Sequence, residues 1–268
     1  MKLNEINSYI LEDITSSEHP SDFVKDSDYS ALILQLPFME NGLAKVQSFA
    51  FVVTQDSVYQ YDRDQKSLIH IGGFNDLYEK LDILVDRLLE DIKILHLKID
   101  NLEDMIYQDD SGDIMVKWLS FKQSVSLIRR MIFNANIAFE LFLKYYSGKD
   151  NFDMHAFHDI REHLERIKSL ALMAEERLDH LYDFYKTRVD ERMNRNMYYL
   201  TIISGIFLPL TLITGFFGIN TGGLPWVNNE NGTLYVIVVS AILEIIFLVT
   251  FLQLLRRERL KFRISHIL

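Results

Sequence analysis

The sequence predicts an α+β soluble domain, a small sheet plus long helices, that continues through a stalk helix into a hairpin of two membrane-spanning helices. Three observations carry this prediction. Two long C-terminal stretches are almost free of charge. Short apolar segments give way at Gly72-Gly73 to apolar residues spaced by three and four. The last of these helical patterns meets no proline or glycine before Gly205 and Pro209, which already lie in the first apolar stretch.

The short segments come first. Ala31–Leu36, Phe49–Thr54, Ser57–Tyr61 and Leu68–Ile71 are apolar and bounded by turn formers, so they read as strands, the middle pair a hairpin across Gln55-Asp56. After Gly73, Leu77, Leu81, Leu84, Leu88, Ile92, Leu95, Ile99, Leu102 and Ile106 place one apolar stripe on a long helix. A turn at Asp109–Gly112 separates it from a second helix, Ile114 to Tyr146, closed by Ser147-Gly148. A third starts near Asp153, with Phe157, Ile160, Leu164, Ile167, Ala171, Ala174, Leu178, Leu181 and Tyr185 on one stripe. Run on to Gly218 at 1.5 Å per residue, it would be on the order of 100 Å long. The alternative is an ordinary helical bundle beside a separate membrane anchor.

Between Arg195 and Glu230 no side chain is charged, a stretch longer than the roughly 20 residues that cross the hydrocarbon core. Met197 to Phe217 forms the first span, with Tyr198 and Tyr199 as interfacial anchors, and about Thr233 to Leu255 the second. Lys186, Arg188, Arg192 and Arg195 precede the first span; Arg256, Arg257, Arg259, Lys261 and Arg263 follow the second; the loop between has no Lys or Arg. The positive-inside rule therefore predicts cytoplasmic termini and an outer loop. The expected order is a cytoplasmic α/β domain (1–152), stalk (153–196), first span (197–219), outer loop (220–232), second span (233–255) and basic tail (256–268). Two spans cannot enclose a hydrophilic path, so any path through them needs several copies.

Composition narrows the function. A net charge of -10 argues against nucleic acid as a partner, which needs a basic face, and suits cations. The chain has no cysteine, which excludes disulfides, thiolate metal sites and cysteine nucleophiles. Met1 to Thr15 carries Glu5, Glu12 and Asp13 and no apolar core, unlike a secretory or transit peptide. There is no phosphate loop, nucleophile elbow or well-spaced metal triad, so an enzyme and a bound cofactor are not expected.

The run Arg195 to Asn220 contains Thr201-Ile202-Ile203, Ile206-Phe207, Pro209-Leu210-Thr211, Ile213, Gly215 and Gly218-Ile219-Asn220. It resembles the pore helix of the CorA family of magnesium transporters, in sequence and as the first of two C-terminal spans before a basic tail. The resemblance is close around the spans and architectural over the N-terminal portion. It implies a funnel-shaped homopentamer in the plasma membrane that transports divalent cations. The family signature is Gly-Met-Asn, whereas Gly218-Ile219-Asn220 here precedes Thr221-Gly222-Gly223-Leu224-Pro225. That departure is more similar to the zinc-transporting ZntB branch, which implies zinc transport coupled to protons.

Helical spacing puts Asn194, Met197, Leu200 or Thr201, Ser204, Leu208, Thr211, Gly215 and Asn220 roughly on one face. Polar side chains in a span face protein or water, so this stripe is expected to line a shared axis. The alternative is that hydroxyls bond their own helix and small residues merely pack helices. On the first reading Asn220 offers amide oxygens to a hydrated ion, and Gly218 lets the backbone turn beside Ile219. Thr211 and Ser204 form hydroxyl rings, and Leu208, Leu200 and Met197 an apolar constriction. Pro209 either frees a carbonyl and kinks the helix or serves packing alone. Glu244, in the second span, either carries a proton or is protonated and bonded to a neighbouring helix. Trp226 reads as an interfacial anchor.

Cytoplasmic carboxylates are candidates for regulatory metal: Asp86, Glu90 and Asp91, and on the stalk Glu175, Glu176, Asp179 and Asp183. The competing reading is a solvated charged face. His155, His158 and Glu162 have spacing that permits zinc on one helix face. Divalent-cation transport, zinc before magnesium, is the leading function, with a magnesium channel gated by cytoplasmic metal second. A membrane-anchored coiled-coil scaffold or sensor is the reading from another class.

Overall fold

The computed structural model describes residues 2–55, 57–108, 112–149, 151–218, 225–226 and 229–265. The chain divides into two compact units, Met1–Tyr185 and Lys186–Leu268. The division falls inside a long helix.

In the N-terminal unit, helix α1 (Ser8–Thr15) precedes strands β1 (Asp22–Lys25), β2 (Tyr29–Glu40), β3 (Leu43–Thr54), β4 (Val58–Asp62) and β5 (Ser67–Gly72). The strands form one antiparallel sheet in sequence order. The hairpin across Gln55-Asp56 is present, pairing Val53 with Val58. The longer β2–β3 hairpin turns at Asn41 and Gly42, with φ of 52° and 84°. Two left-handed residues give the turn whose twist matches the flanking strands.

Period-two alternation sends β2 and β3 side chains to opposite faces. Leu32, Leu34, Phe51 and Val53 face the long helices, while Ala31, Ile33, Ala50 and Val52 pack under Ile6, Ile10 and Ile14 of the N-terminal segment. That explains why β2 is an almost unbroken apolar run: it is covered on both sides.

Helices α2 (Phe74–Tyr107), α3 (Ile114–Tyr146) and α4 (Met154–Gly218) follow. The expected stripe of α2 is buried except for Leu84, which is partly buried while its neighbour Val85 takes a core position. On α4, every stripe residue from Phe157 to Leu181 is buried. Phe157 sits among Phe74, Phe139, Phe142 and Phe152, stacked on Phe152 at 4.6 Å. Polar contacts fix the register of α4: Trp118 Nε1 donates to the Leu178 carbonyl at 2.7 Å, and Arg177 reaches Asp100 and Glu103 on α2.

The C-terminal unit holds the rest of α4 and α5 (Gly232–Ser265), which extends beyond the expected span. Both helices are long and apolar enough to cross a membrane.

Phe157→Ala would leave a cavity in the aromatic cluster and should cost about 3–5 kcal/mol. Phe133→Ala, at a position 52% exposed, should change the stability of a single chain by less than about 1 kcal/mol. Urea unfolding of both variants, followed by circular dichroism, checks the contrast.

Candidate functional site

Two helices that pack side by side each give up one stripe of their surface. In the C-terminal unit, Ile202, Gly205, Ile206, Pro209, Leu210, Ile213 and Phe217 are the less exposed positions of α4, at three-and-four spacing. On α5, the corresponding ridge is Val236, Ser240, Glu244, Leu248 and Phe251. Gly205 meets this ridge directly, since a Cβ there would lie 3.6 Å from the Phe251 ring and 3.8 Å from Phe247.

The expected axial residues are on the remaining surface. Asn194, Met197, Leu200, Thr201, Ser204, Leu208, Thr211 and Gly215 are all exposed in the single chain. A Cβ added to Gly215 or Gly218 would meet nothing within 4 Å. Gly218 ends α4, and its φ is not left-handed. Ile219 and Asn220 lie outside the described residues.

The hydroxyls bond their own helix, as one alternative allowed. Thr201 Oγ1 donates to the Met197 carbonyl at 2.8 Å, and Thr211 Oγ1 to Phe207 at 2.7 Å. A threonine bonded in this way still has oxygen lone pairs, so it remains an acceptor while its only hydrogen is engaged. The two readings are therefore compatible.

Glu244 is on the α4-facing ridge, and both of its carboxyl oxygens are buried without a hydrogen-bond partner among the described residues. Pro209 has no N–H to offer the Gly205 carbonyl one turn earlier. Trp226 is partly exposed, and its φ of 64° is left-handed.

In the N-terminal unit, Asp82 and Asp86 on α2 meet His163 on α4, with one ligand atom from each within 4.8 Å of the others. His163 Nδ1 is 3.3 Å from Asp86 Oδ1 without an aligned hydrogen bond, and Nε2 is 3.8 Å from Asp159. Burial, and then the negative charges of Asp86 and Asp159, push the Asp82 carboxyl above its usual range, with His163 opposing. Two carboxylates and an imidazole form a donor set that fits a divalent cation. Sequence reasoning singled out Asp86 but missed Asp82 and His163. The available signal was a pair of acidic residues at i and i+4 on α2, a repulsive arrangement with no local compensation.

Of the other carboxylate candidates, Glu175, Asp179, Glu90 and Asp91 have protein partners. Glu175 pairs with Lys122 and with Arg129 at 2.7 Å, Asp179 with Lys122 at 2.6 Å, and Glu90 with Lys93 at 3.7 Å. Asp91 accepts the Met39 N–H at 2.9 Å. Glu176 is exposed, and Asp183 is also engaged. His155, His158 and Glu162 do not converge, because i and i+7 put the outer two nearly two turns apart. Asp82, Asp86 and His163 are the converging group among the described residues.

Comparison with known proteins gives the same outline. The family model "CorA-like Mg2+ transporter protein" matches residues 2–257. The zinc transport protein ZntB of Cronobacter sakazakii is 29% identical over 163 residues, 58% of this chain and 47% of that protein. The divalent cation transporter CmaX of Pseudomonas aeruginosa is 38% identical over 80 residues, 30% of this chain and 24% of its own length. The cobalt/magnesium transport protein CorA of Thermotoga maritima is 25% identical over 65% of this chain and 50% of that protein. The chain thus spans half or less of these relatives' lengths. Among solved structures, CorA from Methanocaldococcus jannaschii superposes with a TM-score of 0.77 at 18% identity, over 92% of this chain and 83% of that one. Full-length CmaX gives 0.67 at 19% identity, over 95% and 82%. With two membrane-length helices in place and a family match across nearly its whole length, the chain belongs to the CorA-like family of metal-ion transporters.

Proposed function

We propose that several copies of this chain move divalent cations across the plasma membrane along the face of α4 turned away from α5, zinc ahead of magnesium and coupled to protons. One observation carries the proposal: every axial candidate from Asn194 to Gly215 is on that face, and Thr201 and Thr211 engage their only hydrogens within the helix. A hydrated cation presents water hydrogens outward. It is therefore matched by groups that only accept, and it need not shed its water to be held. Met197, Leu200 and Leu208 supply apolar rings where a narrow path dewets. Asn220 is proposed as the entry site, with Gly218 and Ile219 beside it.

Assembly as a homopentamer rests on the family resemblance. It is supported by large apolar side chains left uncovered on α3, where Phe133, Ile137 and Leu141 recur every four residues at 46–52% exposure. A ring of copies needs a head-to-tail contact between two different patches, and this stripe offers one of them. The zinc preference rests on Gly218-Ile219-Asn220 in place of Gly-Met-Asn.

The test is zinc and magnesium entry into liposomes containing the purified protein, with and without a pH gradient. Zinc entry should rise with the gradient and fall about tenfold or more in Asn220→Ala, the equivalent of one lost contact of about 1.4 kcal/mol. Thr211→Val keeps the shape but removes the acceptor, and should also slow entry. Absence of flux from a folded oligomer would refute the proposal.

The second reading, a magnesium channel controlled by cytoplasmic metal, is favoured by the Asp82–Asp86–His163 group. Raising the Asp82 pKa means the folded chain holds its proton more tightly than the unfolded chain. That contribution to stability is full below the ordinary value of 3.8 and is lost as pH rises through the raised one. A cation bound at neutral pH offsets the loss. Saturation a hundredfold above Kd should add about 2.7 kcal/mol. Asp82→Asn should raise the melting temperature without metal and remove most of the increase on adding magnesium or zinc. An undiminished metal response in that variant would move the site elsewhere.

A further inference from the structure

Glu244 is the one acidic or basic side chain between Glu230 and Arg256, about midway along the second span. It does not point to open surface. It belongs to the ridge of α5 that packs on α4, and both carboxyl oxygens are buried without a hydrogen-bond partner. An ionised carboxylate in that position has no counter-charge among the described residues, and burying one unpaired is costly. From α4, the facing positions are Gly205, Ile206, Pro209, Leu210 and Ile213, none of which titrates. From its own helix, the ridge neighbours are Ser240 and Leu248. Among the described residues, no Lys, Arg, His or second acid faces it.

The register of the two helices supplies an acceptor. Gly205 lies against Phe247 and Phe251, and the helices run in opposite directions. Glu244, one turn before Phe247, is thus level with Pro209, one turn after Gly205. Because Pro209 has no N–H, the Gly205 carbonyl loses its usual helical donor. The same short stretch of seam holds a buried carboxyl group without a partner and a carbonyl without its usual donor.

We propose that Glu244 is a proton-binding site in the α4–α5 seam, separate from the ion-lining face, and that its acid form donates to the Gly205 carbonyl and latches α4 at the Pro209 break. Loss of the proton leaves an uncompensated charge and an orphan carbonyl facing each other. The seam then opens, and the ion-lining face of α4 moves with it. This rests on the transport reading for its consequence and deepens it, assigning pH dependence to one group outside the ion path.

The experiment uses the full chain in liposomes, with equal pH on both sides, and has two readouts. Infrared difference spectra between acid and alkaline pH, in H2O and D2O, should contain a protonated-carboxyl stretch that is missing in Glu244→Gln. Zinc or magnesium flux in the wild type should vary by up to about tenfold per pH unit across one titration. In Glu244→Gln, whose amide donates at every pH, the flux should be flat and close to the latched level. Stability of the oligomer supplies a further check. Glu244→Ala should lower the melting temperature in the wild-type background and much less beside Pro209→Ala, which returns an N–H to the Gly205 carbonyl. An infrared difference unchanged by Glu244→Gln, a wild-type pH profile retained in that variant, or additive melting shifts would each overturn the proposal. Flux absent from the wild type at every pH would instead overturn the transport reading, and the infrared and melting results would still decide on the proton site.

Discussion

A pair of helices in a bilayer has no interior. Each helix satisfies its own backbone, and the only protein surface it can cover is one stripe of its neighbour. Everything proposed for this chain depends on how α4 divides its surface under that constraint. Ile202, Gly205, Ile206, Pro209, Leu210 and Ile213 are given to α5, which leaves Met197, Ser204, Leu208 and Thr211 for whatever lies on the other side. The rings of Phe247 and Phe251 lie beside Gly205, which marks the height at which the two helices meet. On the stripe left over, Thr201 and Thr211 donate to carbonyls of their own helix.

The N-terminal unit solves a different problem, holding the first half of α4 in register. Its stripe from Phe157 to Leu181 is fully covered, and the polar contacts along it act as stops. Trp118 marks the Leu178 carbonyl, His96 the Leu170 carbonyl at 2.9 Å, and Arg177 bridges two acids of α2. Partly exposed ion pairs of this kind each contribute little to stability, but together they disfavour a shift by one turn. The Asp82–Asp86–His163 group joins the same two helices, α2 and α4, and its unfavourable electrostatics stand out against these satisfied pairs.

The parts legible in the sequence were those set by long periodic patterns. The stripes of α2 and α4 were read almost residue by residue, since each is a helix buried along one side over many turns. The elements missed were short and local. Strand β1 is four residues, Asp22 to Lys25, with charged ends, and α1 is eight residues carrying Glu12 and Asp13. Neither is long enough to display a period, and both owe their place to the sheet they pack on. Val85 replaced Leu84 in the core because helical spacing alone allows either neighbour at that turn. The metal-type cluster was half visible: Asp86 was singled out, but His163 is 77 positions away and only the packing of α4 on α2 brings it there. The stripe of α4 left exposed in the single chain was readable because glycine and hydroxyl residues recur at helical spacing. That Glu244 faces α4 was not, because nothing in a uniformly apolar span marks which side is covered.

Since the chain has no cysteine, the division of α4 into two faces can be measured one residue at a time. Single variants Thr201→Cys, Ser204→Cys, Thr211→Cys, Ile206→Cys and Ile213→Cys would be reconstituted and treated with a charged, water-soluble thiol reagent. The account predicts labelling at Thr201, Ser204 and Thr211, protection of these sites by the transported cation, and no labelling at Ile206 or Ile213. Equal labelling of both groups, or labelling of neither in protein shown to be oligomeric, would mean that the exposed stripe of α4 faces lipid and does not line a water-filled path.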